Sequence, residues 1–347
     1  MIEKVVITLE APPRVGGVAT YIGNSVAAAK KMGLPIALAA PAGSANVNIP
    51  LPCDHSQSFF NLLKAGAAFK KIKASCVYLA EAAAIRAAIS WAGWSWTKRQ
   101  RIRLILHGSE ILDLKNSSRF RALLKKAETI YTLSRAVAEM VCKLEPSAKN
   151  KFIITGGAPS PTLTAIDGLH DPKKLITVGR LHPRKGQHVI LEAMAEGRLP
   201  GFSYEIVGPA RNKIYARKLF SFARKNKLKV KFYGEIDDTR LSLLYAQSSI
   251  FVLPAETLKN RIEGYGLALL DAAAMGLIVV AYDCGGISEA VQHCRTGILI
   301  PPGDRAALVD AILQISGNDA LAWEMSQAAR VWAGGKRWEA VAQGLFL

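Results

Sequence analysis

Glu263 and Asp271 stand eight residues apart, with Gly264, Tyr265, Gly266 and Leu267 opening the interval and the apolar run to Met275 filling it. If that run is a helix, eight residues make about two turns, so the two acids return to a similar face. Gly264 and Gly266 leave backbone N–H groups open at the helix start, where negative charge is favoured. Carboxylates beside such a mouth can accept hydrogen bonds from sugar or ribose hydroxyls. On spacing alone, a capping Glu and an exposed Asp fit equally well. Upstream, Gly179-Arg180-Leu181-His182-Pro183-Arg184-Lys185-Gly186 sets Arg180 and Lys185 in a turn that its glycines permit, a charge pair suited to clamping a diphosphate. Downstream, Cys284-Gly285-Gly286-Ile287-Ser288-Glu289 adds further accessible N–H groups. Phosphates and hydroxyls held together are what a nucleotide-linked sugar requires.

These segments need rigid supports, and the pattern supplies strand ends. Apolar runs at Lys4–Leu9, Ile36–Ala39, Cys76–Leu79, Leu104–Leu106, Ile130–Leu133 and Phe152–Ile154 alternate with helical stretches, the first at about Val18–Met32. Continuous Val/Ile/Leu runs read as buried parallel strands, and their alternation with helices reads as βαβ units. The pattern breaks at Gly156-Gly157-Ala158-Pro159-Ser160-Pro161 and restarts with Leu175–Val178, Tyr204–Val207, Val230–Tyr233, Ile250–Leu253, Ile278–Ala281 and Ile298–Ile300. The expectation is an α/β chain of two domains, residues 1–168 and 169–325, with a closing helical tail over 326–347. Ligands in open α/β sheets bind at the carboxyl ends of strands, so the expected site is a cleft between the two sheets.

Composition narrows the classes. The chain has 347 residues, half of them hydrophobic, enough for two domains each with its own core. No apolar run approaches the roughly 18 residues of a membrane span. The amino-terminal residues open into a strand pattern rather than a signal peptide, so a cytoplasmic protein is expected. Cys53, Cys76, Cys142, Cys284 and Cys294 are scattered and never spaced as Cys-x-x-Cys, which argues against a disulfide framework and a zinc site. Asp237-Asp238 reads as a helix cap rather than a metal motif, His182 and His188 read as turn or surface residues, and no metal or other cofactor is expected.

In succession, Gly179-Arg180…Lys185-Gly186, Val207-Gly208-Pro209, Phe232-Tyr233-Gly234, Glu263-Gly264-Tyr265-Gly266-Leu267, Gly285-Gly286-Ile287-Ser288-Glu289 and Thr296-Gly297…Pro302-Gly303-Asp304 resemble the GT-B glycosyltransferases of family four, the large retaining group. The resemblance covers essentially all of residues 174–316. The first domain agrees through Gly16-Gly17-Val18-Ala19-Thr20-Tyr21, Leu106-His107-Gly108-Ser109-Glu110 and Leu133-Ser134-Arg135-Ala136-Val137-Ala138. Lys336-Arg337-Trp338-Glu339 looks like the start of a last helix that crosses back to the first domain.

The resemblance implies a GT-B fold, two Rossmann-like domains facing a cleft, and retaining sugar transfer from a nucleotide sugar, UDP-linked by preference and GDP-linked as an alternative. It implies that Arg180 and Lys185 neutralise the leaving diphosphate, Glu263 contacts the donor sugar near its anomeric carbon, Asp271 holds the ribose and His107 stands beside the reactive side of the sugar. Gly17, Gly179, Gly208, Gly234, Gly264, Tyr265, Gly266, Leu267 and Gly286 would form the donor site, and Gly16, Thr20 and Glu110 the acceptor side. Two departures stand out. The family usually has Glu where this chain has Asp271, and Thr155-Gly156-Gly157-Ala158 replaces the usual Asn-Gly-Val turn.

Charge bears on the acceptor. Residues 1–168 hold 22 Lys and Arg against 10 Asp and Glu, and residues 169–347 hold 23 against 17. Phe59–Lys73 is basic and amphipathic, and Trp91, Trp94 and Trp96 precede Lys98-Arg99-Gln100-Arg101-Ile102-Arg103. Aromatics beside cations suit an anionic membrane surface, with a glycan or lipid-linked acceptor of the cell envelope; ordinary core aromatics beside a solvated loop are the alternative. No nucleic-acid motif accompanies the charge. Rival readings are a non-catalytic nucleotide-sugar-binding protein and a nucleotide-sugar epimerase of similar build. An NAD enzyme would need a Gly-x-Gly-x-x-Gly turn after the first strand, and a phosphorylase a longer chain with a pyridoxal-binding lysine motif.

Overall fold

Val5, Val6 and Ile7 are all fully buried, so both faces of their strand are covered, as the continuous apolar run requires. The structure, a computed structural model, describes residues 2–56, 58–166, 170–258 and 262–347. Arg261 and the 259–261 part of the loop after Leu253 lie outside the described residues, as does the 168/169 boundary.

Two compact units emerge: Met1–Gly157 with Arg337–Leu347, and Ala158–Lys336. In the first, strands β1 (Ile2–Ile7), β2 (Ile36–Pro41), β3 (Ile49–Leu51), β4 (Ala74–Ala80), β5 (Ile102–Leu106), β6 (Thr129–Thr132) and β7 (Phe152–Ile154) form one parallel sheet in the order β3-β2-β1-β4-β5-β6-β7. Its helices are α1 (Gly17–Lys31), α2 (Phe59–Phe69), α3 (Ala82–Arg86), α4 (Trp94–Arg99), α5 (Ser109–Leu114), α6 (Ser118–Lys126) and α7 (Arg135–Leu144). Each expected strand is present. The additional β3 is a three-residue edge strand, too short to show a period in sequence.

In the second unit, β8 (Asp171–Val178), β9 (Ser203–Val207), β10 (Val230–Gly234), β11 (Ser248–Leu253), β12 (Ile278–Tyr282) and β13 (Gly297–Ile300) form a parallel sheet in the order β10-β9-β8-β11-β12-β13. Helices α8 (Gln187–Ala195), α9 (Lys213–Lys225), α10 (Asp238–Gln247), α11 (Leu267–Ala274), α12 (Ile287–Ala290), α13 (Arg305–Ser316) and α14 (Asp319–Gly334) accompany it, and α15 (Trp338–Phe346) closes the chain. Asp237 caps α10 by accepting a bond from Arg240 N (2.8 Å), as its position suggested.

The unit boundary falls at 157/158 rather than 168/169 because residues 158–164 are bonded into the second unit. Ser160 N donates to Asp271 Oδ1 (2.7 Å), Thr162 Oγ1 bonds Asp238, and Thr164 N donates to Ser242 Oγ (3.1 Å). The tail is likewise shorter than 326–347. Residues 326–334 end α14, which packs on α11 in the second unit. Only Arg337–Leu347 joins the first, where α15 packs on α1, buries Val341, Leu345 and Phe346, and sets Phe346 against Tyr78 (5.4 Å between rings).

In each sheet the strand order reverses once, between β1 and β4 and between β8 and β11. Such reversal points, at the carboxyl ends of the strands, are where open parallel sheets place their ligand sites.

Candidate functional site: a charged strand-end cluster

At the β8/β11 reversal the two loops are in intimate contact. Gly186 follows the short 3₁₀ turn Pro183–Lys185 with φ +71°, and a Cβ there would lie 1.9 Å from the Pro254 carbonyl oxygen. Glu256 N donates to Arg184 O (2.9 Å), a second tie between the loops. Gly208, after β9, allows a comparable approach: a Cβ would meet Gly179 O at 2.3 Å. Gly179 N donates to Val207 O and Gly208 N to Gly234 O (both 2.8 Å), so Gly179, Gly208 and Gly234 link the ends of three adjacent strands.

This scaffold brings Lys185 and Glu263 together. Lys185 Nζ lies 2.7 Å from Glu263 Oε2, and Arg184 NH1 lies 2.5 Å from the same oxygen. All three side chains are about nine-tenths buried. Burial alone would push the Glu263 carboxyl up, but Lys185 and Arg184 outweigh it and hold it at about 2. Burial draws the Lys185 ammonium down, opposed by Glu263 and helped by the charges of Arg184 and Arg180. Arg180 is exposed, within electrostatic reach of Lys185. Three cations against one anion leave a positive excess, the sign a diphosphate needs.

Glu263 is also held through its backbone, since Gly286 N donates to its carbonyl (2.9 Å). Beyond buried Tyr265, α11 begins at Leu267 with Gly266 as its N-cap and no side-chain capping bond. Its first amides face the end of the helix dipole where anions are stabilised.

Asp271 has a different partner. Its Oδ1 accepts the Ser160 amide, and burial, with Asp238 adding repulsion, pushes the carboxyl up to about 7 although that bond opposes it. No bond or ion pair joins Asp271 to Glu263 among the described residues.

The residues expected in the first domain lie in the first unit, around its own strand ends. Gly16 caps α1, which starts at Gly17 with no side-chain cap and no acid in its first turn. A Cβ at either glycine would meet nothing within 4 Å, so the amides are approachable, and Thr20 N completes the turn onto Gly16 O. His107 packs edge-on to Tyr21 (5.2 Å), and burial draws its imidazole down to about 3, so it is neutral. Its Nε2 is buried without a hydrogen-bond partner. Glu110 Oε1 accepts the His107 amide (3.1 Å), while Oε2 is buried and unpartnered. Burial pushes the Glu110 carboxyl up to about 7.

Two residues outside the sequence expectations belong to these clusters. Arg184, next to Lys185, holds Glu263; burial of an arginine is not visible in a basic turn. Glu81 follows β4 directly, and its carboxylate accepts Leu9 N (3.0 Å), Ala84 N (2.9 Å) and Ala83 N, tying the ends of β1 and β4. Its place after an apolar run was the available signal. Burial, then repulsion from Glu10, pushes it up to about 8.

Of the aromatics expected at a surface, Trp96 is core (2% exposed), and Trp91 and Trp94 pack partly buried against that core. Phe59, Phe60 and Leu63 on α2 are exposed. Among the described residues no helix is long and apolar enough to cross a membrane.

Two parallel-sheet Rossmann-like units, each with polar groups at a strand-order reversal, define the GT-B class of glycosyltransferase folds. The HepE protein of Anabaena, solved in complex with UDP-glucose, superposes with a TM-score of 0.76 over 98% of this chain and 97% of that one, at 17% identity. Residues 163–332, just under half of the chain, match the family model of the glycosyl transferases group 1. A glycogen synthase of Mycobacterium tuberculosis is 29% identical over 215 residues, which are 60% of this chain and 50% of that one. A GDP-mannose-dependent alpha-(1-6)-phosphatidylinositol monomannoside mannosyltransferase of the same species is 27% identical over 263 residues, 73% and 65% of the two chains. The chain thus spans about half to two thirds of the length of these curated relatives.

Proposed function

We propose that the protein is a retaining, metal-independent glycosyltransferase that moves a hexose-type sugar from a nucleotide sugar, UDP-linked by preference and GDP-linked as the alternative, to a glycan or lipid-linked acceptor of the cell envelope. The observation that carries the reading is the buried Arg184–Glu263–Lys185 cluster, lying between a basic strand-end turn and an uncapped helix start within the family-matched stretch. The donor diphosphate would take the charge of Arg180 and Lys185 and the first amides of α11, and electrostatic relief of that leaving group is the main catalytic demand. Glu263, ionised at any working pH, would accept bonds from the sugar hydroxyls near the anomeric carbon, and Asp271 would hold the ribose. The departing phosphate would deprotonate the acceptor on the same face, which retains configuration without a protein nucleophile. His107, neutral, would sit beside the sugar; Gly16, Gly17, Thr20 and Glu110 would receive the acceptor.

The exposed Phe59, Phe60 and Leu63 of α2, with exposed Lys64, Lys70, Lys71 and Lys73 around them, support placing the first unit on an anionic membrane at the cytoplasmic face. A non-catalytic nucleotide-sugar-binding protein is the second reading, favoured by Asp271, whose carboxyl is taken by the Ser160 amide.

A thermal-shift screen of UDP-, GDP- and ADP-sugars, followed by transfer and hydrolysis assays with the stabilising donor, tests both. At 100 times Kd a donor adds about 2.7 kcal/mol, a rise of roughly 5–10 °C for the unit that binds it. Turnover abolished in Arg180→Ala excludes the binding protein. No stabilisation by any nucleotide sugar at millimolar concentration refutes the proposal.

A further inference from the structure

Residues 211–231, RNKIYARKLFSFARKNKLKVK, contain nine Lys and Arg and no Asp or Glu, half of the chain's net +18 in 21 positions. All nine are exposed: Arg211, Lys213, Arg217, Lys218, Arg224, Lys225, Lys227, Lys229 and Lys231. They run along the solvent face of α9, through the turn after it, and onto β10, the edge strand of the second sheet. Buried Tyr215, Ala216, Leu219 and Ala223 anchor the opposite face of α9. The exposed face is not purely polar, because Ile214 (70% exposed) and Phe220 (42%) stand among the cations. Between the end of α9 and β10 lies a groove of about 460 Å³, walled by Phe220, Leu228, Val230 and Phe232 with Arg224 and Lys227 also lining it. Phe220 and Phe232 meet edge to face at 4.5 Å.

We propose that this α9–β10 face docks on an anionic phospholipid bilayer, the lysines and arginines meeting headgroup phosphates and Ile214, Phe220 and the groove taking acyl-chain surface. Charge selects the sign of the partner. Nine like charges concentrated on one edge create a field that a zwitterionic or neutral surface does not satisfy. The apolar content selects the kind of partner. A nucleic acid would engage the cations but leave aliphatic Ile214, Leu228 and Val230 against water, whereas a bilayer interface accepts cations and apolar side chains at adjacent depths. The surface is separate from the donor cluster and from α2 of the first unit, so it goes beyond the function proposed above and does not depend on it.

The test is flotation of the full-length chain with vesicles of 30% phosphatidylglycerol in phosphatidylcholine, and with phosphatidylcholine alone, at 50 and 500 mM NaCl. Expected are binding to the anionic vesicles only and its loss at high salt, where the screening length shrinks to a few ångströms. Each cation near an anionic surface is worth about 5-fold in partitioning, so K213Q/R217Q/R224Q/K227Q lowers it by several hundred-fold. I214S/F220S lowers it roughly 10-fold or more while keeping the salt dependence. The four cations are exposed, so K213Q/R217Q/R224Q/K227Q keeps the unfolding midpoint and any nucleotide-sugar stabilisation of the parent; I214S/F220S gives up the Phe220–Phe232 contact and is floated well below its own measured midpoint, with I214S alone (70% exposed) as the variant that keeps the parent's. F59S/F60S on α2 runs in parallel. If α9 variants float like the parent, or only the α2 variant fails to float, the proposal is overturned. It is equally overturned if a 20-base-pair duplex displaces the vesicles and I214S/F220S binds that duplex and the vesicles as the parent does.

Discussion

Replacing Glu263 by Gln removes one negative charge and almost no volume, so it isolates what that charge does. Arg184 and Lys185 would remain, about nine-tenths buried, with no anion between them. Two lines of argument give the cost. The Glu263 carboxyl is held at about 2 against an ordinary 4.5, and at 1.36 kcal/mol per unit this is about 3 kcal/mol of net stabilisation. Breaking buried ion pairs by removing one partner independently costs ~3–5 kcal/mol. A loss of about 3–5 kcal/mol lowers the midpoint of a unit this size by roughly 6–20 °C. The pH dependence carries the sign. A carboxyl whose folded value is depressed contributes stability above its unfolded value of about 4.5, and that contribution is lost as pH falls toward 2. The parent should therefore lose stability over that window, and Glu263→Gln should already have lost it and titrate flat there. Uridine diphosphate should restore more stability to the variant than to the parent, because its phosphates would supply the missing counter-charge. Calorimetry from pH 2.5 to 7.5, with and without the nucleotide, reads all three effects. A midpoint within 2 °C of the parent at pH 7 would show that the cations are solvated rather than held by Glu263.

Lys185→Ala should lower transfer by about 10²–10³-fold by removing charge at the leaving group, measured as kcat on the donor found by screening; an effect confined to KM contradicts the role. Gly186→Ala sets a Cβ 1.9 Å from Pro254 O at a positive φ, so urea denaturation should show at least 2 kcal/mol lost and donor binding weakened. Asp271 has a folded value of about 7, raised above the ordinary 3.8, so ionising it costs stability as pH climbs from about 4 through 7. Asp271→Asn should gain on the parent over that range, and its donor affinity by calorimetric titration should stay flat where the parent's rises toward pH 8. Deleting residues 337–347 strips Trp338, Leu345 and Phe346 from the first unit at roughly 1.5–3 kcal/mol each, and the truncated chain should fail a proteolysis-resistance assay at 37 °C.

The architecture was legible because parallel strands covered on both faces must be continuous apolar runs. Val5–Ile7 and Ile250–Leu253 carry that signature whatever surrounds them. Part of the strand-end scaffold was legible for a related reason: Gly186, Gly208 and Gly266 occupy backbone positions where a side chain would clash, so sterics write them into the sequence in a fixed order. The unit boundary was not legible, because residues 158–164 are a Pro-containing stretch with no periodic pattern, whose allegiance is decided by bonds to Asp271, Asp238 and Ser242, far away in sequence.

Sequence alone placed Lys185, Glu263 and Asp271 at their strand ends, and left out Arg184 and Glu81, whose burial only the fold produces. Protonation and partnership were decided by tertiary structure alone, because both depend on burial and on charges brought from distant segments. Glu263 and Asp271 look like a matched pair of acids eight residues apart. Folding sets one between two buried cations and holds it ionised at about 2, and gives the other a backbone amide and little water, leaving it near 7.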